Sequence, residues 1–164
     1  MGFMRPVVLD ANQPDTFHAG SGRLAAFRGV ALPDRPEDWV ASMTHRYGDV
    51  DAGLTVLPDG GRLIDKAEAD PQAWLGRPDA SPQLLVKLLD TGQRLPLHVH
   101  PDRKFARRHL SSEHGKTEAW IVLDARPGAS VHLGFQHDVS PSELASWVEG
   151  QDIPAMLAAT NRYR

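Results

Sequence analysis

The sequence contains no cysteine, which excludes disulfide bonds and metal sites built on thiolates. Imidazole and carboxylate side chains are then the available protein ligands for a transition metal. The N-terminus has no apolar run of the kind that a signal peptide or a membrane span requires, so we expect a cytoplasmic protein with no membrane partner. A net charge of −3 gives no electrostatic reason to expect a nucleic-acid partner.

The chain of 164 residues, 41% of them hydrophobic, is long enough for one core of ordinary size and too short for two. We therefore predict a single domain, residues 1–164. Its 14 glycines and 13 prolines favour many short strands joined by turns over a bundle of helices. The predicted fold class is mostly β, with small helical insertions.

Local patterns place the elements. We predict a hairpin in which Pro-Asp-Gly-Gly joins residues 54–57 to 62–64, because Asp-Gly and Gly-Gly take the backbone angles of tight turns. Asp102 is a helix cap for residues up to about Leu110, and Ser140-Pro141-Ser142-Glu143 is a capping box for a helix that ends at Gly150. One or two helical turns are expected around Trp74. Further strands are predicted at residues 6–9, 84–89, 95–99, 118–123 and 131–135.

Three side chains form a candidate metal site. His98 and His100 lie two residues apart, so on an extended segment both rings project to the same side. Glu118 opens the apolar run of residues 119–123, which predicts a following strand that brings a carboxylate. The alternative is a pair of ordinary strand histidines, since His-x-His is common by chance.

The glycines flanking these residues add a resemblance. Five residues separate Gly92 from His98, which resembles the opening of the cupin barrel motif, and Gly128 resembles its closing turn. Four blocks then resemble class I mannose-6-phosphate isomerases in order and spacing: PQLLVKLLD at residues 82–90, HVHPD at 98–102, GKTEAWIVLDARPGA at 115–129 and LGFQ at 133–136.

This resemblance implies a zinc-dependent isomerase that interconverts mannose 6-phosphate and fructose 6-phosphate through a cis-enediol. It implies a cupin-type antiparallel jelly roll and one Zn²⁺ per chain, held by His98, His100 and Glu118. A small-molecule sugar phosphate is the implied partner. The family usually has glutamine where His98 stands, and an imidazole there should bind zinc, nickel or copper more tightly. Pro96 stands where the family commonly has a substrate-contacting serine.

Three further residues are predicted to have roles at the site, two from the resemblance and Lys87 from its position in the sequence. Lys116 matches the family's active-site lysine and is the predicted catalytic residue, against the alternative of a solvated loop lysine. Lys87 interrupts an apolar strand, where a lysine is rare unless it is paired or lines a cavity. Glu37, beside Trp39, resembles an early block of the family. Lys87 and Glu37 are the predicted substrate-binding residues. The alternatives are a lysine that extends to the barrel rim and an exposed acid beside a core tryptophan.

Other charged residues are expected to be structural or solvated. Arg103 with Arg107, and Lys104 with Arg108, are like-charged pairs four residues apart, which indicates a solvated helix face. We assign no ligand role to His45, His109, His114, His132 and His137.

The family's second cupin motif and its phosphate-binding arginine have no counterpart before the chain stops at residue 164. The expectation is therefore an N-terminal catalytic portion with an incomplete jelly roll, poor activity by itself, and self-association through an open sheet edge. The alternatives are a non-catalytic metal-binding cupin fragment or sugar-phosphate sensor, and another cupin enzyme such as an epimerase or dioxygenase. The Gly-Lys-Thr-Glu block argues against the last.

Overall fold

The computed structural model describes residues 6–46, 48–82 and 84–164. The chain divides into two compact units, the first ending at Leu95 and the second running from Pro96 to Arg164. The assignment of residues 1–164 to one cupin domain stays a prediction.

The first unit combines short helices with one small sheet. Its elements are helix α1 (Arg23–Arg28), strand β1 (Glu37–Val40), helices α2 (Leu63–Ala69) and α3 (Pro71–Leu75), and strand β2 (Val86–Leu89). Strands β1 and β2 pair antiparallel, with Trp39 opposite Lys87. The buried apolar side chains described in this unit are Leu24, Trp39, Leu54, Leu57, Leu63 and Ala67.

A buried polar network holds β1 in place. The Asp38 side chain is 0% exposed and accepts a hydrogen bond from Arg28 Nε at 2.6 Å and one from the Asn12 backbone N–H at 2.9 Å. Asn12 Nδ2 donates to the carbonyl oxygens of Gly53 at 2.8 Å and Trp39 at 3.2 Å. Gly53 has a φ of 90°, and a Cβ there would lie 2.5 Å from the Trp39 ring, so this contact requires glycine.

Asp90, directly after β2, caps helix α1. The N-cap residue of that helix is Gly22, whose lack of a side chain leaves the first backbone N–H groups without a local acceptor. The Asp90 carboxylate accepts instead from Ser21 Oγ at 2.6 Å and from the backbone N–H groups of Ser21 at 3.0 Å and Arg23 at 2.8 Å. Burial raises the pKa of Asp90, but these hydrogen bonds outweigh it and hold the pKa below its ordinary value of 3.8.

The second unit has three helices and two strands within its described residues. They are helix α4 (Arg103–His109), strand β3 (Val131–Phe135), helices α5 (Pro141–Glu149) and α6 (Ile153–Ala159), and strand β4 (Thr160–Tyr163). Each helix has a side-chain cap: Asp102 accepts from Phe105 N at 2.7 Å, Ser140 from Glu143 N at 3.2 Å, and Asp152 from Ala155 N at 3.0 Å. Strands β3 and β4 pair antiparallel, with an irregularity between His132 and Phe135.

Several predicted elements are confirmed. Helices α4 and α5 begin at the predicted caps, α3 surrounds Trp74, and β2 and β3 lie within the predicted strands. The predicted turn also forms, with an antiparallel bridge between Val56 and Arg62.

Other predictions are wrong. Residues 63–64 do not continue a hairpin strand; they begin α2, in which Leu63 and Ala67, four residues apart, are both buried. That spacing is a helical period. Residues 6–9, 95–99 and 118–123 do not form strands. Strands need hydrogen-bonded neighbours, and here the apolar side chains of the expected strands stay accessible, with Val99 90% and Ile121 88% exposed.

The antiparallel character that we predicted is present in two small sheets of two strands each among the described residues. A mostly-β jelly roll is not confirmed, because helices separate these short strands along the chain.

Within the described part of the chain, no helix has the length and apolar character needed to cross a membrane.

Replacing Asp90 with alanine should destabilise the first unit by about 1–2 kcal/mol at neutral pH, because the N–H groups that begin α1 lose their acceptor. The lowered pKa of Asp90 means that its stabilising effect is complete above the ordinary value of 3.8 and is lost as pH falls through the lower folded-state pKa. Denaturant unfolding of both proteins from pH 7 to pH 2 measures this difference. Asp79→Ala, at an exposed aspartate, is the control. A difference that grows below pH 3.8 would contradict the assignment.

Candidate functional site

Two histidines and a glutamate form a row in the second unit. His98 Nε2 lies 3.2 Å from His100 Nε2, which lies 3.2 Å from Glu118 Oε2. The two imidazole rings have centroids 5.1 Å apart. Although residues 95–99 are not a strand, the predicted proximity of the two rings and Glu118 is present.

The chain brings Glu118 to the histidines by folding back at Gly115. The Lys116 N–H donates to the Pro101 carbonyl at 2.9 Å. A Cβ on Gly115 would lie 2.7 Å from the Pro101 oxygen and 2.9 Å from Arg103 N, so a residue with a side chain would push the two segments apart. The intervening insert folds into helix α4, which starts just after Pro101. Glu118 is therefore beside His100 in space although 18 positions separate their numbers in the sequence.

Neighbouring groups orient the members of the row. His98 Nδ1 lies 2.9 Å from the Pro96 carbonyl oxygen, and a carbonyl only accepts, so we assign the ring proton to Nδ1 and a lone pair to Nε2. The indole N–H of Trp120 donates to Glu118 Oε1 at 2.8 Å. Glu118 Oε2 is the oxygen that faces His100. The nitrogen of His98 that metals commonly use thus points toward His100.

The donor types suit zinc in their chemistry, and two of their pairwise distances are compatible with zinc geometry. Tetrahedral zinc with Zn–N distances of about 2.0–2.1 Å places neighbouring ligand atoms roughly 3.3 Å apart, close to both separations in the row. Among the described residues, however, no group of three or more histidine, aspartate or glutamate side chains is arranged to hold an ion. Pairwise spacing is a weaker criterion than convergence of three ligands on one point. The metal-ligand role of His98, His100 and Glu118 stays a prediction.

Lys116 lies beside this row. Its Nζ is 3.7 Å from Glu118 Oε2, and its side chain is 52% exposed. The separation permits electrostatic attraction but exceeds a hydrogen bond. The ammonium group is therefore near the carboxylate and is accessible to a ligand from solvent.

Glu37 and Lys87, the predicted substrate-binding residues, form an ion pair in the first unit. Lys87 Nζ lies 3.3 Å from Glu37 Oε1, and the two side chains are 19% and 10% exposed. Because Trp39 pairs opposite Lys87, Glu37 lies two residues along β1 on the same face of the sheet. The Trp39 indole N–H donates to Glu37 Oε2 at 2.7 Å. The pairing explains how a lysine is tolerated in an apolar strand, and the role in substrate binding stays a prediction.

Two residues near these clusters were not predicted as site residues. His18 is buried, and its Nε2 lies 3.9 Å from Glu37 Oε1. It belongs to a polar loop, where no hydrophobic periodicity could have predicted its burial. Trp120 belongs to a run that the sequence marks as a strand core. Glu118 and Trp120 lie two residues apart in the sequence, and this separation could have predicted their contact.

Comparison with known proteins identifies relatives of one kind. The chain is 32% identical over 155 residues to the probable mannose-6-phosphate isomerase GmuF of Bacillus subtilis (strain 168), covering 93% of this chain and 48% of that protein. It is 34% identical over 145 residues to the mannose-6-phosphate isomerase of Streptococcus mutans serotype c, covering 84% of this chain and 43% of that protein. It is also 36% identical over 66 residues to the mannose-6-phosphate isomerase ManA of Bacillus subtilis (strain 168), covering 40% of this chain and 21% of that protein.

The chain therefore spans about half the length of the curated relatives that it matches over most of its residues. No family model matches it. No solved structure matches it either.

Lys87→Met should destabilise the first unit by on the order of 2 kcal/mol, because the buried Glu37 carboxylate loses its cation. The double variant Glu37→Gln with Lys87→Met should recover most of that loss, since no uncompensated charge then remains. Denaturant unfolding measures both. Lys66→Met is the matched control: it breaks an exposed ion pair to Asp59 at 3.0 Å and should destabilise the protein far less, because solvent screens exposed charges. Equal losses for Lys66→Met and Lys87→Met would refute the buried pair.

Proposed function

Since this chain belongs to the mannose-6-phosphate isomerase family over the region that it shares with its relatives, we propose that it carries the metal-binding and catalytic groups of an aldose-ketose isomerase. The proposed reaction interconverts mannose 6-phosphate and fructose 6-phosphate through a cis-enediol, with one Zn²⁺ bound. The proposed fold is of the cupin type. The antiparallel strand pairing in both units supports that fold.

The row formed by His98, His100 and Glu118, with Lys116 beside it, is the observation that carries this proposal. Two imidazoles and one carboxylate are three protein ligands, the number with which a catalytic zinc site leaves a position open for water or substrate. When bound, the ion supplies Lewis-acid polarisation of the sugar oxygens.

The surrounding residues of the chain prepare these ligands. The Pro96 carbonyl fixes the His98 tautomer, which keeps the Nε2 lone pair available. The Trp120 indole holds one oxygen of Glu118 and leaves the other toward His100. These contacts reduce the reorganisation that ligand binding requires, because the rings and the carboxylate are already oriented.

Lys116 has the charge and the reach for an electrostatic role in the reaction. Proton removal next to the carbonyl develops negative charge on a sugar oxygen, and a nearby ammonium group stabilises that charge. Lys116 is half-exposed, so it can turn from Glu118 toward a bound sugar. Its ion pair with Glu118 in the absence of substrate keeps the ammonium close to the ligand row.

Glu37 and Lys87 are the proposed substrate-binding residues of the first unit. A carboxylate accepts hydrogen bonds from sugar hydroxyls, and an ammonium group donates to sugar oxygens. Their ion pair holds both groups in defined positions before a ligand arrives.

Replacing His98 and His100 together with alanine should abolish stoichiometric zinc, because the single carboxylate that remains of the proposed site is a weak zinc ligand by itself. Elemental analysis of dialysed protein gives the metal content. The matched control replaces His109 and His132, two histidines of the same unit outside the row. Zinc content that is unchanged in the double site variant would disprove the ligand assignment.

Lys116→Ala should lower isomerase turnover by roughly 10²-fold while zinc content and melting temperature stay unchanged. A coupled assay that starts from mannose 6-phosphate measures turnover, both in the 164-residue chain and in a version joined to the remaining half of a relative such as GmuF. Lys104→Ala, on the exposed face of α4, is the control. Normal turnover in Lys116→Ala would show that Lys116 is a solvated loop lysine without a catalytic role. Zinc binding without turnover in either version would favour a metal-binding sensor over an enzyme.

A further inference from the structure

His18 belongs to a buried cluster in the first unit that includes Glu37 and Lys87. Its Nε2 lies 3.9 Å from Glu37 Oε1, the same oxygen that Lys87 Nζ approaches at 3.3 Å. The three side chains come from a loop and from the two paired strands β1 and β2. An imidazole, a carboxylate and an ammonium group therefore meet at one place.

The imidazole of His18 is unusual in this cluster. Its side chain is 4% exposed, yet neither Nδ1 nor Nε2 has a hydrogen-bond partner among the described residues. Burying a polar group without a hydrogen bond is unfavourable, and native structures rarely keep one without a reason. Asp38, in the same unit and equally inaccessible, has hydrogen bonds to both oxygens.

The neighbouring groups indicate what kind of ligand would satisfy His18. Glu37 and Lys87 have opposite charges, so the cluster has no excess positive charge for a phosphate. A hydroxyl group, in contrast, both donates and accepts, and can meet a carboxylate, an ammonium group and an imidazole in turn. Phe17, 81% exposed, sets its ring edge-on to His18 at a centroid distance of 5.0 Å. That ring offers an apolar surface for the C–H groups of a polyhydroxyl compound.

We propose that His18, Glu37 and Lys87 form a binding site for the hydroxyl groups of a sugar or sugar alcohol, in which His18 is the specificity-determining residue. This inference rests on the proposed isomerase function for the identity of the natural ligand, a hexose phosphate. The hydrogen bonds from His18 select for hydroxyl groups, and the phosphate plays no part in this contact.

The direct test follows the imidazole resonances of the full chain by NMR while sorbitol 6-phosphate, which has no carbonyl and cannot be isomerised, is added. The His18 signals, assigned by their loss in His18→Leu, should shift saturably. Inorganic phosphate should leave them in place. A His18 ring that does not respond to sorbitol 6-phosphate, or responds equally to inorganic phosphate, overturns the proposal.

Variants separate a binding role from a structural one. His18→Leu should weaken sorbitol 6-phosphate binding by about tenfold, the scale of one lost hydrogen bond. Its melting temperature should stay equal or rise, because a buried group without partners is replaced by an apolar one. His18→Gln keeps a donor and an acceptor and should recover most of the affinity. The control is His45→Gln, at an exposed histidine of the same unit.

Unchanged affinity in His18→Leu, or a His18→Gln variant that binds as weakly as His18→Leu, overturns the proposal even if the melting temperature falls. Turnover of mannose 6-phosphate distinguishes this failure from failure of the proposed function. If the protein turns over mannose 6-phosphate but the His18 signals do not shift, the proposed role of His18 is refuted and the isomerase function is not. Shifting His18 signals support the hydroxyl site even when turnover is absent, and absence of turnover also in the version joined to the remaining half of a relative refutes the isomerase.

Discussion

The close approach of Gly115 to Pro101 is the constraint on which the arrangement of the second-unit site depends. The two segments meet through one backbone hydrogen bond of 2.9 Å, and the space between them has no room for a Cβ. This contact closes the loop around helix α4 and sets where Glu118 stands relative to His100. The close backbone contact at Gly115 thereby determines the distance between His100 and Glu118, because closing the loop brings together groups that are far apart in the sequence.

The first unit relies on buried polar contacts in place of backbone closure. Asp38 joins Arg28 and Asn12 to strand β1, and Asp90 joins the end of β2 to the start of α1. Both carboxylates accept from backbone N–H groups as well as from side chains. Such contacts are directional, so they specify one arrangement of short elements that have little apolar surface to bury. The Glu37–Lys87 pair is held on the sheet that these contacts support.

The sequence predicted the elements whose signals are local. Ser140 and Asp102 correctly predicted the starts of helices α5 and α4, because a helix cap depends only on residues within one turn. The strands expected at residues 95–99 and 118–123 failed for the opposite reason: a strand exists through a distant partner, which apolar content does not reveal. The site divides in the same way. The proximity of His98 and His100 follows from a separation of two residues. Glu118 was predicted from its position before an apolar run, and the resemblance added support. The contact of His18 with Glu37 has no sequence signal, since it joins a loop to a strand 19 positions later.

The two clusters treat their ionisable groups differently, and this contrast bears on how each would meet a ligand. In the second unit, His100 and Glu118 are about one-fifth exposed and Lys116 is half-exposed, so ions and solutes reach them while solvent screens their charges. In the first unit, the side chains of His18 and Glu37 are at most one-tenth exposed, so a ligand must displace neighbouring groups to reach them. Hydrogen bonds formed there are stronger, because the local dielectric is low. Exposed groups suit an ion whose ligands exchange, whereas buried groups suit discrimination between hydroxyl and other oxygens. A buried imidazole that lacks partners weakens the fold slightly. That cost is the expected signature of a residue retained for recognition.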